Sequence, residues 1–224
     1  MDIRDKFIGR VVKGKSFVDV GGLWGTVHEK LSVAHRRGAR SVTMIDAIGG
    51  ESEWWPAFHR RMEEMNIPYT HRVADILNDP IEDTWDVVHS AGVLYHLPFP
   101  LEYLLNLKRI AGEHVVLTTA VMPKRVKNRA GEIAIPDGGS LFVPCLTKRE
   151  KRVLSVHWNA EGRGAVMGGI NADREYSVDF YGPWWWLHGE EVIRRMCEIC
   201  GMEVAAEGSN WKNHTLTLLL EVRQ

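Results

Sequence analysis

Asp19-Val-Gly-Gly-Leu-Trp-Gly25 stands between an apolar run, Ser16–Val20, and a segment of helical pattern that begins at Thr26. Glycines at a strand–helix turn let a ligand approach the backbone, and the helix N-terminus behind them favours negative charge. The spacing differs from the G-x-G-x-x-G that brings backbone up to a dinucleotide pyrophosphate, which argues against a nicotinamide dinucleotide. Asp46 closes the next apolar run, where a carboxylate can accept both hydroxyls of a ribose. Asp75, in Val-Ala-Asp-Ile-Leu, closes the third and is placed to accept from an adenine amino group. Each acid taken alone could be a helix N-cap. Together, three strand-end acids beside a glycine turn suit a cationic nucleoside that carries no phosphate.

Tyr95 and His96 follow the fourth apolar run, at the sheet edge where open α/β folds hold their ligands. A histidine there can take a proton from an acceptor hydroxyl, or only close its loop by a hydrogen bond. Nine Trp occur in the chain, clustered at Trp54–Trp55 and Trp184–Trp186. Three successive Trp cannot share one face of a strand, and in a helix they would spread around most of its circumference. At least one of Trp184, Trp185 and Trp186 therefore points away from the main core, toward a cleft or a partner; with His157 and Trp158 they are expected to wall an acceptor pocket. The basic stretches Lys124–Arg129 and Lys148–Arg152 read as a solvated face, as an anion clamp for a phosphorylated or carboxylated acceptor, or as an RNA backbone contact. Cys197 and Cys200 form a C-x-x-C inside a helical pattern with no second ligand pair, so helix packing and no metal site are expected.

These residues need an alternating scaffold. Strands are predicted at 16–20, 41–45, 69–74, 86–89 and 114–118, with helices over Thr26–Arg37, Trp54–Met65 and from Pro100 to Gly112. The rhythm breaks after Thr119, where short alternations such as Leu154-Ser-Val-His-Trp158 suggest a hairpin-like elaboration. A helix over Glu190–Cys200, closed by Gly201, and strands near 202–206 and 214–222 complete the pattern. The expected fold is one Rossmann-like, doubly wound α/β domain over residues 1–224. Its seven-stranded mixed sheet carries a substrate-side insertion at 120–188, before the last helix and two strands.

Phe17–Ala47, Ala74–Asp79 and Trp85–Pro100 resemble successive motifs of the class I S-adenosylmethionine-dependent methyltransferases. Asp19–Gly25, Arg37-Gly-Ala-Arg40 ahead of Asp46, Gly92-Val-Leu-Tyr-His96 and Pro183-Trp-Trp-Trp186 resemble the branch that contains the tRNA wobble-uridine carboxymethyltransferases. The resemblance implies that Gly21, Gly22 and Gly25 shape the methionine pocket and that Asp46 holds the ribose. It also implies that Asp75 with Ile76 flanks the adenine and that Ser90 and Ala91 lie beside the sulfonium. Asp19 and Ala47 belong to the same cofactor-binding motifs, and Tyr95 and His96 are the catalytic candidates. Two departures stand out. Leu23 occupies the central glycine's position in the usual G-x-G-x-G, and only a short segment precedes the first strand, where the tRNA enzymes carry a further domain.

Lys+Arg total 28 against 29 for Asp+Glu, a net charge of -1, which gives no global attraction to nucleic acid or anionic membrane. The N-terminus lacks the apolar stretch of a secretory signal, no run is long enough to span a bilayer, and three cysteines make no disulfide framework. The expectation is a cytoplasmic enzyme, monomeric or homodimeric. It would methylate oxygen or nitrogen of a small polar acceptor such as a sugar or biosynthetic intermediate, with nucleic acid discounted. The alternatives are an RNA-modifying transferase of the wobble-uridine type and a protein that holds S-adenosylmethionine without turnover.

Overall fold

The computed structural model describes residues 2–24, 28–159, 170, 175–178, 183–210 and 214–223. In chain order the first elements are α1 (Ile3–Val11), β1 (Ser16–Val20), α2 (Leu31–Arg36), β2 (Ser41–Asp46), α3 (Trp54–Glu64), β3 (Thr70–Val73), β4 (Trp85–Ala91), α4 (Pro100–Ile110) and β5 (Ala111–Ala120). A cap follows: β6 (Arg125–Asn128), β7 (Gly131–Ala134), β8 (Ser140–Phe142), α5 (Lys148–Asn159) and β9 (Trp186–His188). The chain closes with α6 (Glu190–Ile199), β10 (Met202–Asn210) and β11 (Thr215–Val222).

One seven-stranded sheet runs in the order β10-β11-β5-β4-β1-β2-β3. Pairs from β3 to β5 are parallel, and β11 lies antiparallel to both β5 and β10, which gives the expected mixed, Rossmann-like sheet. Side chains alternate across it with the period of a strand. Phe17, Val87, Val116 and Leu219 face Phe7, Ile8, Leu31, Trp55, Phe58 and Met62 of α1, α2 and α3. Val18, Val88, Val115 and Leu218 face Tyr103, Leu104, Leu107, Ile193 and Met196 of α4 and α6. Each such apolar side chain contributes about 1.5–3 kcal/mol by leaving water. Because β1 pairs with β2 on one side and β4 on the other, the crossovers diverge there and leave a crevice at the strands' carboxyl ends.

The structure differs from the sequence expectation in four places. An N-terminal helix, α1, was not expected; the Asp2 side chain caps it by accepting from the Arg4 amide, and Asp2 also accepts from Asn210 on β10. The helix expected from Thr26 begins only at Leu31. Residues 25–27 lie outside the described residues, and Lys30 and Ser32 commit their amides to the Asp19 and Glu29 carboxylates. The Pro100 helix ends at Ile110, so Gly112 lies inside β5 rather than at a helix terminus. Leu154–Trp158 is helical, not strand-like. Thr147 and Glu150 form a reciprocal capping box, and Val153, Leu154 and Trp158 fall on the buried face of α5. The hairpin itself is β6–β7, and β8 pairs with β9.

Tyr95, Ala120, Met122, Val126, Ile133, Val143, Val153, Leu154, Trp158, Trp184 and Leu187 form a third apolar cluster. It joins the cap to the carboxyl ends of β4 and β5. Cys197 and Cys200 pack within the α4–α6 layer, where burial pushes the Cys197 thiol up to about 12. No helix among the described residues is long and apolar enough to cross a membrane.

Candidate functional site

The carboxyl ends of β1, β2, β3 and β4 bring the sequence-selected residues together. Gly21 donates its amide to Ile45 O at 2.8 Å and Ala74 donates to Asp46 O at 2.9 Å, so the turns leave adjacent strands in register. Gly21 has φ +75, and a Cβ there would meet Val93 Cγ2 at 2.4 Å. A Cβ on Gly22 would meet the Asp19 carboxylate at 2.3 Å. Both positions therefore require glycine. Gly25 lies outside the described residues.

Asp19 is fully buried and engaged by the protein itself. His89 Nδ1 donates to Asp19 Oδ1 at 2.7 Å, and the Lys30 amide donates to Oδ2 at 2.8 Å. Its role is to fix the turn from beneath, across β1 and β4. Asp46 is buried at the end of β2, where Oδ2 accepts from the Leu23 amide and Oδ1 from the Ile48 amide, each at 3.0 Å. Burial holds its carboxyl above the usual carboxylate range, with the Asp19 charge acting in the same direction and the two amides opposing. Leu23 turns its side chain inward. Its side chain is fully buried among the α1–α3 layer, and its amide closes on Asp46. Ala47 is exposed, and Trp55 Nε1 donates to Ile48 O at 2.9 Å, holding the segment that follows Asp46.

Asp75 accepts from the Leu77 amide at 2.9 Å and from Asn78 Nδ2 at 2.7 Å, which shapes the turn after β3. Ile76 beside it is buried, and its carbonyl accepts from Asn106 of α4 at 2.7 Å. Ser90 is buried at the end of β4 with its Oγ 2.7 Å from the Tyr103 hydroxyl, and Ala91 is half-buried next to it. Burial pushes the Tyr103 hydroxyl pKa up, the Ser90 hydrogen bond opposes this, and the Asp46, Asp19 and Asp75 charges add to the rise.

Tyr95 is buried against Trp184, with ring centroids 4.5 Å apart, and burial raises its hydroxyl so that it stays a neutral phenol. His96 is half-buried, with Nδ1 3.2 Å from Pro183 O. A carbonyl only accepts, so Nδ1 is the donor in this bond, which closes the loop onto the segment ahead of the Trp triplet. The Trp triplet divides. Trp184 is fully buried in the third cluster, Trp185 is buried against Tyr176, and Trp186 is half-buried, stacked near His188 and Phe142 with Nε1 donating to Pro98 O at 3.2 Å. Trp158 is also fully buried and meets Trp184 edge-on at 5.5 Å, while His157 is half-buried beside His214. Trp158 and Trp184 thus fill the cap's own core and Trp185 is buried beside it, while Trp186 and His157 are half-buried. The indole N–H groups of Trp158, Trp184 and Trp185 are buried without a hydrogen-bond partner among the described residues.

His89 and Tyr103 were not singled out from the sequence. Their signal was available only as period: His89 lies two residues after Val87 on β4, and Tyr103 falls on the inner face of the helix after Pro100.

No protein-family model matches the chain, and no curated protein matches it. Among solved structures, the fold is that of the class I methyltransferases. Magnesium protoporphyrin IX methyltransferase from Synechocystis PCC 6803 with bound SAH superposes at a TM-score of 0.59, 17% identity, over 99% of this chain and 82% of that one. A SAM-dependent methyltransferase from Aquifex aeolicus gives 0.55 and 14%, over 98% and 89%. The 1,6-didemethyltoxoflavin-N1-methyltransferase of Burkholderia thailandensis, with bound 1,6-didemethyltoxoflavin and S-adenosylhomocysteine, gives 0.56 and 10%, over 99% and 79%.

Proposed function

We propose that this chain is a methyltransferase that binds S-adenosylmethionine and methylates oxygen or nitrogen of a small polar acceptor held under the cap. The observation that carries the reading is the convergence of Asp46, Asp75 and the Gly21–Gly22 turn at the carboxyl ends of adjacent strands. The solved structures with bound SAM or SAH on the same fold support it.

The residues present fit the group. A carboxylate offers about four lone-pair positions; the Leu23 and Ile48 amides take two of those on Asp46 and the Ala47 amide also bears on it, so the remaining capacity would accept from the ribose hydroxyls. Asp75 and Ile76 would flank the adenine, the Gly21–Gly22 backbone with Gly25 would admit the methionine portion, and Ser90 and Ala91 would face the sulfonium. When bound, S-adenosylmethionine supplies an electrophilic methyl. The chain's part is to align the acceptor and exclude water, with His96 Nε2 taking the acceptor's proton and Tyr95 closing the wall behind it. Trp186 and His157, the half-buried members of the aromatic set, would border the acceptor.

The protein is proposed to work in the cytoplasm, as a monomer or homodimer. A second reading, a protein that holds the nucleoside without turnover, is favoured by one observation: the Leu23 amide already closes on Asp46. Methyl transfer measured across a metabolite library, beside retention of RNA on a filter, separates the readings. Turnover of a small acceptor supports the first, turnover of RNA alone supports the wobble-uridine type, and cofactor binding with no turnover supports the second.

A further inference from the structure

The two basic stretches hold eight lysines and arginines, and the fold sorts them into two groups. Lys124 pairs with Asp137 at 2.7 Å and Arg125 with Glu132 at 2.7 Å, while Lys127 lies 3.9 Å from Glu132. Lys151 is buried, with its ammonium 5.2 Å from the Tyr176 ring. The remaining cations, Arg129, Lys148, Arg149 and Arg152, line a single cleft of about 820 Å³ together with Ala130 and Val156. None of the four has an ion-pair partner among the described residues.

Two elements build this cleft. Lys148, Arg149, Arg152 and Val156 lie along α5, and the turn of the β6–β7 hairpin brings Arg129 and Ala130 opposite. Asn128 ties the two by donating Nδ2 to Val153 O at 2.8 Å, while its Oδ1 accepts from the Ala130 amide at 2.9 Å. Gly131 has φ +140, and a Cβ there would sit 3.3 Å from Arg149 Nε. The missing side chain lets the guanidinium lie over the hairpin, so its position is set by the backbone as well as by its own rotamer.

We infer that this cleft binds a small molecule that carries adjacent phosphate groups, a diphosphate being the simplest match to four clustered cations. Its volume lies in the range of small-ligand sites. A nucleic-acid surface would instead continue as a basic stripe, whereas here the flanking cations are neutralised by Asp137 and Glu132. The net charge of -1 points the same way. That the occupant is the methyl acceptor rests on the proposed function; that it is a phosphorylated small molecule does not.

The test is calorimetric titration of the full chain with inorganic pyrophosphate, orthophosphate and a mixed-sequence single-stranded RNA. Expected is saturable binding of pyrophosphate, at least about tenfold tighter than orthophosphate, weakened about tenfold or more by Arg149→Gln with Arg152→Gln. Lys124→Gln should leave it unchanged, and S-adenosylhomocysteine affinity should be the same in all variants. If the double variant unfolds, Arg129→Gln and Lys148→Gln carry the same comparison. Pyrophosphate binding no tighter than orthophosphate, or insensitive to these variants, overturns the inference. RNA binding that is lost in the double variant and not displaced by pyrophosphate overturns it also, by assigning the cleft to a nucleic-acid backbone.

Discussion

Replacing Asp46 with alanine acts on two quantities that the structure keeps apart. In the free protein the Asp46 carboxylate accepts from the Leu23 and Ile48 amides. Leu23 is fully buried, so truncation strands at least one amide, at a cost of about 1–3 kcal/mol. Part of that is recovered, because burial and the Asp19 charge already disfavour the ionised carboxylate. A net loss of about 1–2 kcal/mol should lower Tm by several degrees in a chain of this size. Cofactor affinity should fall further, because two charge-assisted bonds to ribose hydroxyls are worth roughly 1.5–3 kcal/mol, tenfold or more in Kd. The pH dependence has a definite sign. A carboxyl whose folded pKa is raised contributes stability below its unfolded value and loses it as pH rises through the folded value, so Asp46 does not drive acid unfolding. The cofactor prefers the ionised form, so affinity should decline as pH falls through a value above the usual carboxylate range. Calorimetry with S-adenosylhomocysteine, beside thermal unfolding of the same samples, reads both effects. A folded Asp46→Ala protein with unchanged affinity would remove Asp46 from the site. Binding of NADH with no response to S-adenosylmethionine would refute the whole reading.

Three further outcomes are expected. His96→Ala should lower kcat about 10²-fold while S-adenosylhomocysteine affinity holds, and a wild-type pH–rate profile flat between roughly 5.5 and 8 would leave His96 only its bond to Pro183. Trp186→Ala should raise the acceptor's KM, whereas Trp184→Ala, at a fully buried site, should cost about 3–5 kcal/mol of stability; normal KM in a Trp186→Ala enzyme would place the acceptor elsewhere. Asp19→Ala should destabilise by about 3 kcal/mol or more, since it strands both His89 and the Lys30 amide in the core; a variant that melts normally but binds S-adenosylhomocysteine weakly would show that Asp19 touches the ligand directly.

The alternation of apolar runs with helical segments determined the sheet, because a period of 2 and a period of 3.6 each bury only one face, and that pattern lies in consecutive residues. Glycine at 21 and 22 and acids at 46 and 75 were legible for the same reason: each ends a strand, and parallel strands deliver their ends to one edge. The β6–β7 hairpin and α5 were harder to place. Leu154–Trp158 alternates over five residues yet belongs to a helix whose start, Thr147 to Glu150, is a capping box visible in the sequence. Other features depended on contacts between distant residues. His89 on Asp19, Tyr103 on Ser90 and the closure of Leu23 over Asp46 each join segments whose meeting is set by strand order, which no local spacing encodes. The same holds for the Trp residues and the basic stretches. The sequence drew notice to both, but only tertiary packing decided which rings fill the cap's core and which cations lack a counter-charge among the described residues, because burial and pairing are properties of the neighbours a residue acquires on folding.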